Sequence, residues 1–296
     1  MMGMFADPDR PLLGAAAPTG AGTPRATVRI THLDDVQMLW AGGARVLVAC
    51  DSAGAIGGKA HDVVKVPPQV VGRFTARVPI MELLALGVPP AALVAALSVE
   101  PEPTGAGLLE GIRQEAAEVG LPPEAILVST EKNMPTCQTG IGVTAIGLLS
   151  GAPAEGRLPY GRAQPGDWVM AVGLPKVGPA VRLGDPEIMD LPAFLHLCRW
   201  AFQAQRRAEV LPVGSGGIAA EAAKLARRAG LAFRPLPGPL DLAQSAGPST
   251  CTLAAVAPAE AAGLQAHMRE AGRPCQLVGV LQRPPGADSP GRGGLR

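Results

Sequence analysis

Aromatic side chains are scarce in this sequence, at 3% of 296 residues. Stacking the bases of a single-stranded nucleic acid takes a row of aromatic platforms, which this chain lacks. Charge of one sign is missing too: 26 Lys and Arg stand against 25 Asp and Glu, with no basic cluster. Such a chain does not neutralise many phosphates, so no nucleic-acid partner is expected. Its cysteines, Cys50, Cys137, Cys198, Cys251 and Cys275, are odd in number and share no C-x-x-C spacing. With histidine equally sparse, neither a disulfide framework nor a clustered metal site is expected, and scattered thiols fit a reducing cytoplasm. Long apolar runs are absent as well. Gly or Pro breaks each within about a dozen residues, short of the ~20 of a membrane helix. Residues 1–23 hold no continuous apolar stretch, so no secretory signal is expected. The expectation is a soluble cytoplasmic protein that acts on a small molecule away from membranes.

What is present is a globular composition. Apolar residues make up 47% and charged residues 17%, so Ala, Val and Leu must fill the core. The length suits one large domain or two modest ones. Pro and Gly without periodicity mark residues 1–25 as a flexible lead-in and 284–296 as a loose tail. Between them, strands and helices alternate. Strands are predicted at 45–50, 92–98, 125–128 and 140–149, with helices at 67–86 and 108–119. Pro67 and Pro68 suit a first helical turn, Gly87 suits its C-cap, and Pro79 predicts a kink. The Gly- and Pro-rich stretch 151–166 reads as a linker. Beyond it come strands at 168–172, 210–213, 251–256 and 276–281, and helices at 188–207, 218–228 and 258–271. Two α/β halves follow, 26–155 and 156–283, each a sheet covered by helices.

Four segments could carry chemistry. Asp51 to Asp62, DSAGAIGGKAHD, follows a strand. Gly54, Gly57 and Gly58 allow a backbone to approach a ligand closely, and Lys59 can set a point charge on a phosphate. Asp51 and Asp62 are hard oxygen ligands suited to Mg²⁺. The spacing matches neither G-x-x-x-x-G-K-[ST], since Ala60 follows Lys59, nor G-x-G-x-x-G. An ordinary surface turn is the plain alternative. Ser129 to Pro135 is a polar loop in which Glu131 can bind metal, while Thr130 and Asn133 can bond a phosphate or hydroxyl; taken alone, a polar loop with a solvated Glu–Lys pair explains it better. Gly214 to Gly217 opens a helix, where backbone N–H groups favour anions; a tight strand–helix turn is the alternative. Ser245 to Thr250 reads as a connection. Among the histidines only His61 lies inside a candidate segment.

In this order the segments resemble the AIR-synthase-like superfamily. Its N-terminal half is similar to a strand, D-S-x-G-x-I-G-x-K-x-x-D, a long helix and a later S-T-E-K-N loop. Asp167 to Gly173 resembles the opening of its second domain, and Val213 to Ile218 resembles its D-x-S-D-G-G-L turn. The resemblance covers roughly residues 26–283. DSAGAIGGKAHDVVKVP and STEKNMPTCQTGIGVTAIG look most like the α-ribazole kinase branch, which phosphorylates a cobalamin lower-ligand nucleoside.

The resemblance implies a two-domain fold whose N-terminal mixed sheet pairs across a homodimer and whose C-terminal α/β domain supplies the substrate site. It implies ATP and Mg²⁺ as cofactors. Asp51, Asp62 and Glu131 would hold the metal, with Asp51 and Glu131 meeting around one nucleotide. Lys59 would meet the phosphates, His61 is a candidate base, and Gly54, Gly57, Gly58, Thr130, Asn133, Gly216 and Gly217 would line the nucleotide. Asp34 and Asp35 would match an N-terminal acidic element. Departures are Ser215, where many members carry Asp, and the absence of the cysteines that mark selenophosphate synthetase and the hydrogenase-maturation enzyme. The expected activity is a kinase acting on α-ribazole. An aminoimidazole ribonucleotide synthetase-like cyclisation, a thiamine-monophosphate kinase activity and an ATP-binding regulator are the alternatives.

Overall fold

The computed structural model describes residues 29–41, 43–150, 158–203 and 206–285. The expected lead-in 1–25, nearly all of the tail 284–296 and residues 151–157 of the linker lie outside them.

The first half builds a six-stranded sheet from β1 (Arg29–Leu33), β2 (Val36–Ala41), β3 (Ala44–Gly54), β6 (Pro90–Leu97), β7 (Ile126–Thr130) and β8 (Gly140–Ser150). The order across it is β1-β2-β3-β8-β6-β7. Two short parallel strands, β4 (Ile56–Gly57) and β5 (Val64–Lys65), close the segment after β3. Helices α1 (Pro68–Ala85) and α2 (Ala106–Ala117) cover one face. Alternation chooses that face: Leu47 and Ala49 of β3, Leu93, Ala95 and Leu97 of β6, and Val143 and Ala145 of β8 point into the core.

The second half builds a five-stranded sheet from β9 (Trp168–Val172), β10 (Glu209–Pro212), β11 (Ala232–Pro235), β12 (Thr252–Val256) and β13 (Cys275–Gln282), in the order β10-β12-β9-β13-β11. It is covered on both faces. Met170, Val172, Ala254 and Val256 pack with α3 (Leu191–Ala201) and α5 (Ala261–Glu270). Val169, Ala171, Leu253 and Ala255 pack with α4 (Gly217–Arg228). That is why β9 and β12 read as unbroken apolar runs.

Several boundaries differ from expectation. The strand predicted at 45–50 continues to Gly54, so Asp51 to Gly54 are ladder residues paired with β8, not loop. The helix predicted at 188–207 spans only Leu191–Ala201; Asp190 caps its start, its side chain accepting from the Ala193 amide at 2.9 Å. Pro258 opens a 3-10 turn before α5. The β1–β2 hairpin and β11 were not expected.

Helix α1 lies between both halves and meets α2 without intervening side chains. A Cβ on Gly72 would stand 2.0 Å from the Leu108 carbonyl oxygen, and one on Gly111 2.0 Å from that of Gln69. Beside this crossing Arg77, 1% exposed, donates to Glu115 at 2.6 Å and to the Met189 carbonyl of the second half at 3.0 Å. Arg73 takes the other Glu115 oxygen at 2.7 Å. Removing one partner strands a buried charge. Arg77→Leu should cost about 3–5 kcal/mol in denaturant melts, and Glu115→Leu added to it should restore part of that.

Candidate active site

A cavity of about 500 Å³ opens between the halves, a size that suits a small ligand. One wall is the end of β3, with Asp51, Ser52, Ala53 and Gly54; another is α1, with Val70, Val71, Phe74, Thr75 and Val78. The second half closes it with Gly178, Gly214, Ser215 and the Gly247-Pro248-Ser249 loop. Ser249 at this rim, and Ala55 just beyond Gly54, hold left-handed backbones with φ of 52° and 59°, strained for non-glycine residues. No lysine or arginine is among the described residues that line this cleft.

Burial in the cleft pushes the Asp51 carboxyl above its ordinary value, and a bond to the Ser52 backbone offsets only part of this. No cationic side chain among the described residues pairs with it. A divalent cation would stabilise its charged form, so this residue fits the expected Mg²⁺.

Glu82 of α1 was not foreseen. Burial pushes its carboxyl up to about 9, with the charges of Asp35 and Asp51 adding to the effect. Its Oε2 has no hydrogen-bond partner among the described residues.

The remaining expected residues divide. Gly58 and Lys59 line a second, open depression of about 670 Å³ with Pro68, Glu100, Thr104 and Thr136. Lys59 is committed there: its Nζ donates to Glu100 at 2.5 Å and to the Thr136 carbonyl at 2.9 Å. Burial works against charge at Glu100, but Lys59 and Thr104 hold its carboxyl down to about 2. Between the depressions, Gly57 is buried so tightly that a Cβ would stand 2.4 Å from Thr139 Oγ1. Gly216 and Gly217 lie at the start of α4, next to Ser215 of the cleft.

Several expectations need correction. Asp62 is buried and accepts from the Thr139 amide at 2.7 Å, the Thr139 hydroxyl at 2.7 Å and the Lys59 amide at 2.8 Å. Burial would raise its carboxyl, yet these bonds hold it below the ordinary value. It fastens the glycine-rich segment to β8 rather than presenting oxygens to a metal. Glu131 does not meet Asp51. Asp51 pairs with Val143, Val143 with Ala95 and Ala95 with Val128. Strands β3 and β7 are thus three spacings apart, about 14 Å, too far for one ion. The Glu131 carboxylate instead accepts from the Asn133 and Met134 amides at 2.6 and 3.1 Å, which, with Lys132, lowers it. Thr130 and Asn133 stay with it at that end of the sheet. His61 is exposed and lines neither depression. Asp34 and Asp35 face α4, pairing with Arg228 at 2.6 Å and Lys224 at 2.9 Å.

No protein-family model matches the sequence, and no curated protein matches it. Solved structures do. Thiamine-monophosphate kinase from Stenotrophomonas maltophilia K279a is 18% identical with a TM-score of 0.56, over 88% of this chain and 90% of that one. The protein tt0281 from Thermus thermophilus is 17% identical with a TM-score of 0.56, over 85% and 87%. PurL of T. maritima complexed with ADP is 17% identical with a TM-score of 0.57, over 87% of this chain and 42% of that one. These likenesses show that the chain shares its mixed α/β fold with those proteins. No described helix is long and apolar enough to cross a membrane.

Glu82 lines not this cleft but a smaller hollow with Asp34, Asp35 and Arg228, and its proton gives a separate test. The folded chain keeps it where the unfolded chain has lost it. Its stabilising contribution is complete below the ordinary value of 4.5 and lost as pH rises through about 9. Without added metal, Tm should fall between about pH 6 and about pH 9, and Glu82→Gln should flatten that fall.

Proposed function

We propose that the protein is an ATP- and Mg²⁺-dependent phosphotransferase acting on a hydroxyl of an uncharged, nucleoside-sized molecule, with α-ribazole as the specific candidate. The observation that carries this reading is the cleft. Its walls are apolar, its polar groups are Asp51 and the hydroxyls of Ser52, Thr75, Ser215 and Ser249, and no cation lines it among the described residues. A substrate that already carries a phosphate, as cyclisation or a thiamine-monophosphate kinase activity requires, calls for Arg or Lys contacts. An aromatic nucleoside does not.

The kinase and ADP-bound neighbours support ATP as the donor. In this reading Asp51 holds Mg²⁺ together with phosphate oxygens, and Lys59 and Glu100 border the depression that takes the phosphates. The substrate hydroxyl oxygen attacks the γ-phosphorus, the bond to the ADP oxygen breaks, the hydroxyl proton leaves to water, and positioning with charge neutralisation supplies most of the rate. The outer face of the six-stranded sheet supports a homodimer. Ile30, Leu39, Val46 and Leu148 stand in one cross-strand row there, away from α1 and α2.

Incubation with Mg-ATP and each of α-ribazole, thiamine monophosphate and formylglycinamidine ribonucleotide, read by mass spectrometry, tests this. A gain of about 80 Da on α-ribazole alone is expected. Turnover of a phosphorylated substrate instead, or ATP binding without turnover on any, refutes it. Asp51→Asn should lower turnover by at least about 100-fold and abolish metal-dependent nucleotide binding; unchanged binding would remove Asp51 from the site.

A further inference from the structure

Away from the cleft, α3 and α5 bring together two histidines and a glutamate that the proposed reaction does not use. His196 and His267 stack face to face, ring centroids 3.7 Å apart and planes 4° from parallel. His196 Nε2 lies 3.2 Å from the His267 carbonyl oxygen, and His267 Nε2 lies 3.1 Å from that of His196. A carbonyl oxygen only accepts, so each Nε2 carries a hydrogen and donates it. In the neutral rings both Nδ1 atoms are then lone pairs. Histidines that bind metals are commonly oriented this way, one N–H given to a carbonyl and the other nitrogen left basic. Glu270 follows His267 by one helical turn on α5 and shares its face. One ligand atom from each of the three lies within 4.8 Å of the other two. Both rings are half-buried and Glu270 is exposed, which leaves a path from solvent.

We infer that His196, His267 and Glu270 form a site for a divalent transition-metal ion of the zinc class, with water completing the coordination. Two imidazole nitrogens and one carboxylate suit zinc, nickel or copper and disfavour Mg²⁺, which prefers oxygen alone. Metal bonds of about 2.0–2.2 Å bring ligand atoms closer together than 4.8 Å. Binding therefore draws the ligands inward and tilts the rings out of parallel. Glu270 is the exposed last residue of α5. The ion would clamp α3 to α5 and stabilise the second half without entering the proposed phosphoryl transfer.

The test is a calorimetric titration of the full chain with zinc chloride after chelator treatment. It uses a Cys50→Ser, Cys137→Ser background, because those exposed thiols also take zinc. One ion per chain is expected, with a zinc-dependent rise in Tm and a Kd at least about tenfold weaker in His267→Ala. Glu270→Gln, at an exposed helix end, covers the case in which the histidine variant fails to fold; it should weaken binding with an unchanged circular dichroism spectrum. No binding below about 1 mM zinc, or binding that these variants leave unchanged, overturns the site and leaves the stack as packing between helices.

Discussion

The geometry of the cleft depends on the buried ion network of Arg77, Glu115 and Arg73. Helix α1 packs against the first sheet, α2 and the second half, so it has almost no face for water, and a charge on it must be fully partnered. Both Glu115 oxygens are taken by arginines, and Arg77 also reaches the Met189 carbonyl. Apolar residues of the same size would hold α1 as strongly or more so, since desolvation offsets much of the Coulomb gain. What the ions add is position. With Gly72 and Gly111 setting the depth of the helix crossing, the network fixes how α1 is placed between α2 and the second half. The same helix carries Val71, Phe74, Thr75 and Val78 into the cleft wall.

Much of this fold is legible in the sequence because burial on both faces leaves a strong trace. Strands β9 and β12 are apolar at every position or nearly so, and α1 is framed by Pro68 and Gly87. The β1–β2 hairpin is harder to read: Asp34, not glycine, takes the left-handed backbone at its turn. Strand β11 is a short edge strand ending in proline. At the site, the segment from Asp51 to Lys59 stands out as chemistry-bearing, but its division does not. Nothing local says that the strand runs on to Gly54, or that Asp62 will be consumed by Thr139, 77 positions away. Glu82 is the one acid in the apolar stretch 78–86, and its significance comes from the second half, which periodicity within a helix cannot report.

Charge along the seam between the halves follows a simple pattern. The two cations that α4 brings to it are committed: Arg228 to Asp34 and Glu209, and Lys224 to Asp35 and Glu221. Asp51 is therefore left without a paired cation among the described residues, and at Glu82 the charge of Lys224 offsets only part of the effect of burial and of Asp35 and Asp51. The protein meets this at Glu82 by keeping a proton and at Asp51 by tolerating a raised carboxyl. Acids kept close together under burial are destabilising. A metal ion arriving at Asp51 would lower that cost and make Glu82 easier to ionise, which couples ion binding to proton release.

The two depressions also divide the chemistry in a way that one shared pocket would not. Lys59 and the polar backbone of Gly58 face one of them; Asp51 and the apolar wall of α1 face the other. Only the short segment from Gly54 to Gly57 separates them, and Gly57 is held by contact with Thr139 and Asp62. The proposed transfer needs the acceptor oxygen and the γ-phosphorus in direct contact, so the donor would have to reach past this segment to the side of Asp51. Lys59, the lysine on the other side, is already paired with Glu100. Asp62, bonded to Thr139 and to the Lys59 amide, ties this strip of chain to β8.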